Sequence, residues 1–563
     1  MQAKQEELGD LPLLGHVIKQ TQLVSLLDEH FPVHGNWKAP TTGKMVMGWL
    51  MYIISECDHR LYRVEDWAGR HLNVLRQVLD TPDLRASAFQ DDRLGMLLEF
   101  FAPDERWASF QADYNATLLR LYALDQSIVR VDSFNTPSYR EAQAGGIFQF
   151  GYQKSHQADE PHFKTMMAAL DPMALPIAAL CVSGAQCDDD WYVPVIEQAR
   201  QSLSPKDLLY VGDVKMGSAA TCSYLASSGN YYLCPLSNSY YPKELLEQGV
   251  EQALSPANTM LSVWRAKAQN GQQEETARVY ELPARQRSDS NGRFTWTERM
   301  VLVLSLAYAE AQERSLRENL RQAQQELLER FLPRKYRQVW KEGKMADAKA
   351  FTDKVLSKYR VQNYLHVELF VPPDKPANTP ICIKVRPNET LIAQHLRMAG
   401  WRIYVTNASA EALSAVQMVE YYRQEYRIEQ QFHKLLTKTT DLLPINLKNE
   451  TRVVALVRLV MLALQFVTLI QHSIRKKLKE EDQALTDLVP GNKNRPVSQP
   501  TAEIILKRFK GIVAIWVQVP DQQLWATISN LDPVHYTILN LLRCPDDLYQ
   551  STVGAFKNVN ELA

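Results

Sequence analysis

Residues 127–133, with the sequence SIVRVDS, decide the fold class of this chain. Valine and isoleucine alternate with polar residues here, and an aspartate, Asp132, stands near the end of the stretch. This alternation predicts a β-strand that ends at Asp132 and is followed by a turn over residues 135–137. The helical periodicity of the preceding residues stops near Leu124. The sequence therefore predicts a domain boundary at that point.

A second strand with the same ending lies further along the chain. Residues 207–213, DLLYVGD, form a short apolar run that closes on Asp213. The other strands predicted in this region are at residues 147–152, 165–170 and 176–182. Helical patterns stand between the later strands. Strands and helices in this order predict an α/β fold in which a mixed sheet is flanked by helices.

The two aspartates at strand ends are the first candidates for chemistry. Active sites of open α/β sheets lie beyond the carboxyl ends of the strands, and Asp132 and Asp213 both take such positions. The alternative is structural, because an aspartate after a strand is also a common turn residue or helix cap. The acidic triplet at residues 188–190 is interpreted in that structural way, as the cap of the helix that follows it.

Residues 416–436, VQMVEYYRQEYRIEQQFHKLL, predict a helix with a third carboxylate. At about 100° per residue, Tyr422, Glu425 and Glu429 fall on one narrow face of this helix. Glu429 is therefore a candidate for chemistry. The alternative is a solvated face whose carboxylates pair with nearby arginines at helical spacing.

Composition sets the broad class of the protein. With 563 residues, 45% hydrophobic and 23% charged, the chain is expected to be globular and to contain several domains. A formal net charge of −1 gives no global case for nucleic-acid binding, so such a case must rest on local clusters. Seven cysteines without a CxxC pair predict reduced thiols and no structural zinc. The N-terminus lacks the pattern of a secretory signal, which favours the cytoplasm.

One apolar run has the length of a membrane span. Residues 453–470, VVALVRLVMLALQFVTLI, contain Arg458 and Gln465 and continue a polar helical region. A charged residue in the middle of a bilayer is costly. The run is therefore interpreted as a buried core helix, and no membrane partner is expected.

The sequence predicts five consecutive parts. They are a helical N-terminal domain (1–123), the first part of an α/β core (124–234), an insertion that is β-rich and then helical (235–399), the second part of the core with the Glu429 helix (400–489), and a linker with a helical C-terminal tail (490–563). The N-terminal domain is expected either to bind DNA or to serve as a scaffold or dimerisation domain. Residues 490–500, PGNKNRPVSQP, are the predicted linker.

The helical part of the insertion is basic. Residues 313–360 contain 13 Lys/Arg and 7 Asp/Glu, in a chain that is almost neutral as a whole. Tyr336, Trp340 and Tyr359 are interleaved with these charges. Such a segment suits phosphate contacts and base stacking. The alternative is a solvated helical hairpin.

Three carboxylates, two at strand ends and one on a later helix, suit a two-metal site for phosphoryl transfer. Two metal ions about 3.5–4 Å apart need several oxygen ligands, and hard oxygen donors favour Mg²⁺ or Mn²⁺. Histidine and cysteine are not needed for this chemistry. Asp132, Asp213 and Glu429 are therefore the candidate ligands of such a site, beside the structural alternatives given above for each of them.

Three motifs carry a family resemblance. The sequences VRVDSF (129–134), LLYVGDVKMGSAAT (208–221) and YYRQEYRIEQQFHKLL (421–436) resemble DDE transposases of bacterial insertion sequences. Within them the chain is similar to the branch with a β insertion before the glutamate and a Tyr-Arg-Glu-Lys signature around it. The resemblance extends from about residue 11 to 475. It implies a ribonuclease H-like core in which Asp132, Asp213 and Glu429 are catalytic and bind two Mg²⁺ ions, with Mn²⁺ as an alternative.

The signature of that branch is incomplete in this chain. Tyr422 and Glu429 take their places, but Glu425 stands where the family has arginine and Leu436 where it has lysine. The residues considered for DNA binding are Tyr422, Arg423, Arg427, Lys434 and Lys438 around the signature, and Trp264 and Trp296 in the insertion for stacking on a flipped base.

The resemblance implies cleavage of double-stranded DNA at the ends of a mobile element, followed by attack of the freed 3′-OH on target DNA. Pairing of two ends implies a homodimer on DNA, in the bacterial cytoplasm with the nucleoid. Two alternatives remain open. One is a ribonuclease H-like nuclease without strand transfer, and the other is a catalytically silent DNA-binding protein derived from a transposase.

Overall fold

The structure is a computed structural model that describes residues 2–33, 40–138, 140–151, 160–204, 206–237, 241–266, 271–332, 340–372, 379–438, 440–518 and 524–554. The chain forms two compact units. Unit 1 contains Met1–Tyr232 and Arg423–Ala563, and unit 2 contains Leu233–Tyr422. The predicted N-terminal domain and C-terminal tail lie in unit 1 together with most of the predicted core, and the helices of the first 123 residues pack on a helix from near residue 460. Residues 400–422, which begin the second part of the predicted core, belong to unit 2.

The N-terminal part of unit 1 is helical after one short strand. Its elements are β1 (Gln2–Glu7), α1 (Leu11–Gln20), α2 (Leu23–His30), α3 (Thr42–Glu56), α4 (Val64–Arg70), α5 (Leu72–Val78), α6 (Asp91–Phe101) and α7 (Asp104–Tyr122). The predicted run of helices is confirmed, although its first helix is two helices that meet at Gln22, where φ is +61°. The Thr41 hydroxyl oxygen accepts a hydrogen bond from the Lys44 amide and caps α3.

Helices α2 and α3 approach each other closely at Gly43. A Cβ atom at this position would lie 2.2 Å from the Val24 carbonyl oxygen, which belongs to backbone and has little freedom to move. We expect Gly43→Ala to lower the free energy of unfolding by about 1–3 kcal/mol, because the two helices must separate. Urea unfolding measures this loss. Gly69→Ala on α4 is the control, because its Cβ would meet nothing closer than 3.8 Å; equal stability of the two variants would contradict the prediction.

The sheet of unit 1 comes from the middle of the chain. Its elements are β2 (Ile128–Pro137), β3 (His162–Leu170), β4 (Leu175–Ser183), α8 (Tyr192–Arg200), β5 (Leu209–Gly212) and α9 (Ala219–Ser227). The strands lie in the order β4-β3-β2-β5. Neighbours are antiparallel except for β2 and β5, which are parallel. Helix α8 packs on β3 and β4. The predicted mixed α/β sheet with flanking helices is confirmed.

Two local predictions in this sheet are wrong. Strand β2 does not end at Asp132 but continues through Asn135, Thr136 and Pro137, because β3 remains hydrogen-bonded alongside it. Residues 135–137 are therefore strand and not a turn. The strand predicted at 147–152 is reduced, in the described residues 147–151, to one isolated bridge between Gln149 and His162.

Unit 2 is the insertion with its flanking elements. They are β6 (Tyr231–Pro235), α10 (Lys243–Ala253), β7 (Leu261–Ala266), β8 (Gln273–Ser288), β9 (Thr295–Ser305), α11 (Leu306–Phe331), α12 (Met345–Lys358), β10 (Leu365–Phe370), β11 (Cys382–Pro387), α13 (Glu389–Arg397), β12 (Trp401–Thr406) and α14 (Ala415–Tyr422). The strand order is β6-β12-β9-β8-β7, and β10 and β11 form a separate antiparallel pair. The predicted change from strands to helices is confirmed, and the basic helical segment consists of α11 and α12.

The last part of the chain returns to unit 1. Its elements are α15 (Tyr426–His433), α16 (Glu450–Glu480), α17 (Ala502–Phe509), β13 (Val513–Gln518), β14 (Trp525–Ser529), α18 (Pro533–Leu541) and α19 (Leu548–Val553). Helix α15 packs on β2, and α16 packs on β4 and on α3 and α6.

Helix α16 contains the apolar run 453–470. In the described part of the chain it is the one helix long and apolar enough to cross a membrane, and 94% of its most apolar window is buried inside the protein. Arg458 in its middle donates to the carbonyl oxygens of Phe101 (2.6 Å) and Ala102 (2.8 Å) and pairs with Asp104. These contacts agree with the core helix that the sequence predicts, since its buried charge has partners.

The C-terminal tail is not purely helical, contrary to the prediction. Strand β13 pairs antiparallel with β1 and with β14, so the two ends of the chain share a three-stranded sheet. Val513–Gln518, VAIWVQ, is a short run rich in β-branched and aromatic residues, which is the strand signal that the helical interpretation missed. The predicted linker 490–500 folds back on the chain through a bridge between Leu485 and Val497.

Candidate active site

Asp132 and Asp213 lie at matched positions on two neighbouring parallel strands. The pairing of β2 with β5 ends at Val131 opposite Gly212, and the next residue on each strand is one of the two aspartates. Neighbouring strands are about 4.8 Å apart. The fold therefore places two carboxylates side by side where the parallel pairing ends, as the α/β interpretation of the sequence expects.

Asp213 is held by two hydrogen bonds to the same carboxylate oxygen. Its Oδ1 atom accepts from the Lys215 backbone amide at 2.9 Å and from the Tyr192 hydroxyl at 2.6 Å. The Lys215 bond is a cap on the short 3₁₀ turn Val214–Gly217. Neither of these two hydrogen bonds uses the other carboxylate oxygen, Oδ2. The carboxylate is thus oriented by one oxygen.

The Tyr192 hydroxyl is influenced by the charges of three nearby carboxylates. Its ring is 1% exposed, and burial raises the pKa of its hydroxyl well above the usual value, with further increases from the charges of Asp213, Asp132 and Asp188. The phenol is thus hydrogen-bonded to Asp213 and within electrostatic range of the other two carboxylates. Asp132 is itself 5% exposed, and its Oδ1 atom accepts from the Ser133 amide at 2.7 Å.

Asp188 forms a buried cluster with two lysines, which we call the lysine–aspartate cluster. Lys164 Nζ lies 2.9 Å from Asp188 Oδ1, Lys215 Nζ pairs with Oδ2, and the Ser133 hydroxyl donates to Oδ2 at 3.2 Å. Burial raises the pKa of Asp188, but the hydrogen bonds from Lys215 and Lys164 outweigh burial and hold it below its usual range. The cluster thus contains two positive charges and one negative charge, and its net positive charge is linked to Asp132 through the adjacent Ser133 and to Asp213 through Lys215.

The lysine–aspartate cluster corrects the prediction for the acidic triplet. Asp188 does not cap α8, whose preceding residue makes no side-chain cap. It is buried in an ion pair instead. A signal for this cluster is present in the sequence of β3, HFKTMMAAL, because a lysine in an otherwise apolar strand needs a buried partner. Its partner is far away in sequence, and sequence reasoning missed it.

Glu429 lies on α15, which packs on β2. Phe432, one turn after Glu429, packs on Phe134 with ring centroids 4.7 Å apart. Residues two apart on a strand share a face, so Phe134 and Asp132 project to the same side of β2. Residues three apart on a helix are also neighbours. Phe432, a neighbour of Glu429 on α15, thus contacts the face of β2 that carries Asp132, while the Glu429 side chain itself is exposed.

The side chains of Asp132, Asp213 and Glu429 are not close enough together in this structure to bind one metal ion as a group. Among the residues that the structure describes, no group of three or more His, Cys, Asp and Glu side chains is gathered closely enough to hold one metal ion. Asp132 and Asp213 nevertheless fit a hard divalent cation, because carboxylate oxygens are the donors that Mg²⁺ and Mn²⁺ prefer. A third ligand from Glu429 requires its exposed side chain to turn toward the pair.

The helix around Glu429 is not one ideal α-helix, contrary to the prediction for residues 416–436. A 3₁₀ turn, Arg423–Glu425, separates α14 from α15, and a π turn, Lys434–Lys438, follows α15. Each change of helix type shifts the angular position of later residues. The predicted common face of Tyr422, Glu425 and Glu429 is therefore broken.

Two of the basic residues considered for DNA binding have partners inside unit 1. Arg427 Nη1 lies 3.2 Å from Asp171 Oδ2. Lys434 Nζ donates to Gln471 Oε1 at 3.4 Å, and burial lowers the pKa of this lysine. These contacts place both side chains toward the protein. Arg423 is half-buried in the 3₁₀ turn, and the Lys438 side chain lies outside the described residues.

The aromatic candidates in unit 2 differ in accessibility. Tyr422 packs on Tyr404 with ring centroids 4.6 Å apart. Trp296 is 7% exposed and stacks on Phe294, whereas Trp264 on β7 is 54% exposed. A base that leaves its duplex needs an exposed ring to stack on. Trp264 meets this condition, and Trp296 is buried in the sheet contrary to its proposed use.

Trp340 and Tyr359, two aromatic residues of the basic helical segment, contact other side chains of the same segment. Arg330 lies over the Trp340 ring, 3.8 Å from its centroid, and the Tyr359 hydroxyl donates to Glu326 at 2.8 Å. Tyr336 lies outside the described residues. Trp340 and Tyr359 thus stabilise the segment itself, which agrees with the alternative of a solvated helical hairpin more than with base stacking.

Comparison with known protein families identifies the family of the segment that contains this site. The chain matches the family described as Transposase DDE domain over residues 118–466, which is more than half of its length. The matched segment contains Asp132, Asp188, Asp213 and Glu429. A search of curated proteins gave no match.

Proposed function

The chain belongs to the family of transposases with a DDE domain, and we propose that it cleaves DNA at the ends of a bacterial insertion sequence and transfers the freed strand to target DNA. The observation that carries this proposal is the matched position of Asp132 and Asp213 on β2 and β5. Phosphoryl transfer needs positioning and charge neutralisation more than a protein nucleophile. Two fixed carboxylates at the end of a parallel strand pair suit that need.

Asp132, Asp213 and Glu429 would hold two Mg²⁺ ions, or Mn²⁺. When bound, the ions supply positive charge opposite the attacked phosphate and activate the attacking oxygen. The protein groups prepare this site. Tyr192 and the Lys215 amide fix the orientation of Asp213 through Oδ1. The remaining positive charge of the lysine–aspartate cluster reduces the repulsion between Asp132 and Asp213 before any ion binds.

The partner of this site is double-stranded DNA. The Lys215 side chain is 36% exposed while its amine is anchored to Asp188, so a cation is presented beside the carboxylates where a phosphate would lie. Trp264 is the exposed ring for a displaced base. We further propose that two copies of the chain pair two DNA ends, and that the protein acts in the cytoplasm at the nucleoid.

A second candidate function is DNA binding without catalysis. It is favoured by Glu425 and Leu436, which replace the arginine and lysine of the family signature, and by the open arrangement of Glu429. A nuclease without strand transfer is the third possibility. These functions differ in their products, so one assay separates them.

The assay incubates the purified chain with Mg²⁺ and with DNA that carries the sequences flanking its own gene. We expect a nick at the element end, and joining of pre-cleaved ends to plasmid DNA. EDTA and a DNA end with a scrambled sequence are the controls. Binding without a cut would support the silent protein, and cutting without joining would support the nuclease. Either outcome would contradict the transposase proposal.

Tyr192 provides a direct test of the Asp213 environment. We expect Tyr192→Phe to lower the cleavage rate about 10-fold, because a hydrogen bond to a charged group is lost while the ring keeps its shape. Single-turnover cleavage of the same DNA end measures the effect. Tyr210→Phe is the matched control, since Tyr210 is also buried and its hydroxyl has no hydrogen-bond partner among the described residues. Equal rates for the two variants would contradict the role of Tyr192.

A further inference from the structure

We propose that Asp171 is a positioning residue that holds the Glu429 helix against the strand of Asp132. The proposal rests on the proposed function, because it assigns a role toward the same carboxylates. Asp171 stands in the turn between β3 and β4, outside every motif that carries the family resemblance, and is 5% exposed. Its carboxylate is shared by two arginines from two different elements.

The first arginine comes from the strand of Asp132. Arg130 is 1% exposed, and its Nε and Nη2 atoms donate to the Asp171 carboxylate at 2.8 and 2.7 Å. Arg130 precedes Asp132 by two residues, so both side chains project to the same face of β2. A paired guanidinium–carboxylate contact of this kind is geometrically specific. Asp171 is therefore fixed relative to the Asp132 strand.

The second arginine comes from the helix of Glu429. Arg427 Nη1 donates to Asp171 Oδ2 at 3.2 Å, and Arg427 precedes Glu429 by two residues on α15. The same turn holds α15 at a second point, because Gln431 Nε2 donates to the Met173 carbonyl oxygen at 2.8 Å. The two contacts flank Glu429 along the helix. They fix where α15 lies on the sheet and which side of it faces β2.

The arrangement has the consequence that Asp132 and Glu429 are positioned by one buried carboxylate. Asp171 binds a residue two positions before each of them, although the two are almost 300 residues apart in sequence. The Glu429 side chain is exposed, so contacts of its own hold it only weakly in place. Its position therefore depends on the helix backbone, and a displacement of about 1 Å in a catalytic site lowers the rate about 10²-fold.

Arg427→Met tests the bridge without removing the buried pair of Arg130 and Asp171. The Arg427 side chain is 26% exposed, and methionine keeps its length, so folding is retained. We expect faster hydrogen exchange at the amides of α15 in the metal-free protein, a 10- to 100-fold lower kcat for end cleavage, and an unchanged KM for DNA. Arg427→Lys retains the charge and restores part of both effects.

Arg452→Met is the matched control. Arg452 on α16 is 33% exposed and makes a similar contact, with Nε and Nη2 at 3.0 and 2.8 Å from Glu99 Oε1, away from Glu429. We expect no change in the exchange of α15 or in kcat. Exchange of α15 in Arg427→Met that equals the wild type overturns the inference, whatever the cleavage result. A wild-type chain that cuts no DNA end overturns the proposed function instead, while the exchange result still decides on the bridge.

Discussion

Asp213→Asn is expected to lower DNA cleavage by at least about 10³-fold while the DNA end remains bound. Asparagine keeps the shape of the side chain and can still accept the bonds from Tyr192 and the Lys215 amide at its carbonyl oxygen. It lacks the negative charge that two divalent cations require. A loss of several kcal/mol of transition-state stabilisation corresponds to this factor.

The same result is expected for Asp132→Asn and Glu429→Gln. The measurement is the single-turnover rate of end cleavage with Mg²⁺, with DNA binding followed separately by a mobility shift. Asp190→Asn is the control, because Asp190 is an exposed acid from the triplet beside the site. If a general loss of negative charge explained the effect, this control would lose activity as well. Normal cleavage by any one of the three variants would show that its residue is not a ligand.

Asp171→Ala is expected to cause the largest loss of stability, about 3–5 kcal/mol in the free energy of unfolding. The substitution leaves Arg130, which is 1% exposed, as a buried charge without its carboxylate. Breaking a buried ion pair by removing one partner is costly because the remaining charge is not solvated. Urea unfolding measures this loss of free energy. We also expect a smaller fraction of the variant to be folded at 37 °C.

Two comparisons give this prediction its control. Glu99→Ala removes the partner of Arg452 in an ion pair whose side chains are 50% and 33% exposed, and should cost less than about 1 kcal/mol. Adding Arg130→Met to Asp171→Ala removes the buried guanidinium that has lost its carboxylate and should recover part of the stability. A loss below about 1 kcal/mol for Asp171→Ala would mean that Arg130 reaches solvent or another partner.

Much of the fold follows from local pattern. The alternation in residues 127–133 and the apolar run of 207–213 predict β2 and β5, and the structure confirms both strands. Ser218 caps α9, because its hydroxyl oxygen accepts a hydrogen bond from the Thr221 amide. Gly400, which directly precedes β12, has φ at +80°, a value that favours glycine. Predictions of this kind are correct because strand patterns and helix caps depend on only a few neighbouring residues.

The failures involve partners that are distant in sequence. Residues 135–137 have turn composition but are strand, because β3 pairs with them. Val513–Gln518 is a strand because β1, from the other end of the chain, lies beside it. Trp264 and Trp296 both stand in strands, and only their neighbours make one exposed and the other buried. Propensity does not contain this information.

The sequence by itself determined that two strands carry or directly precede an aspartate, that a third carboxylate lies on a later helix, and that the chain contains an α/β core with a β-rich insertion. Tertiary structure alone decided that Asp132 and Asp213 are neighbours at one register, that Asp188 binds two lysines instead of capping a helix, and that Asp171 joins β2 to α15. The physical reason is that a charge is buried or solvated according to the groups packed around it, and folding brings those groups from distant parts of the chain.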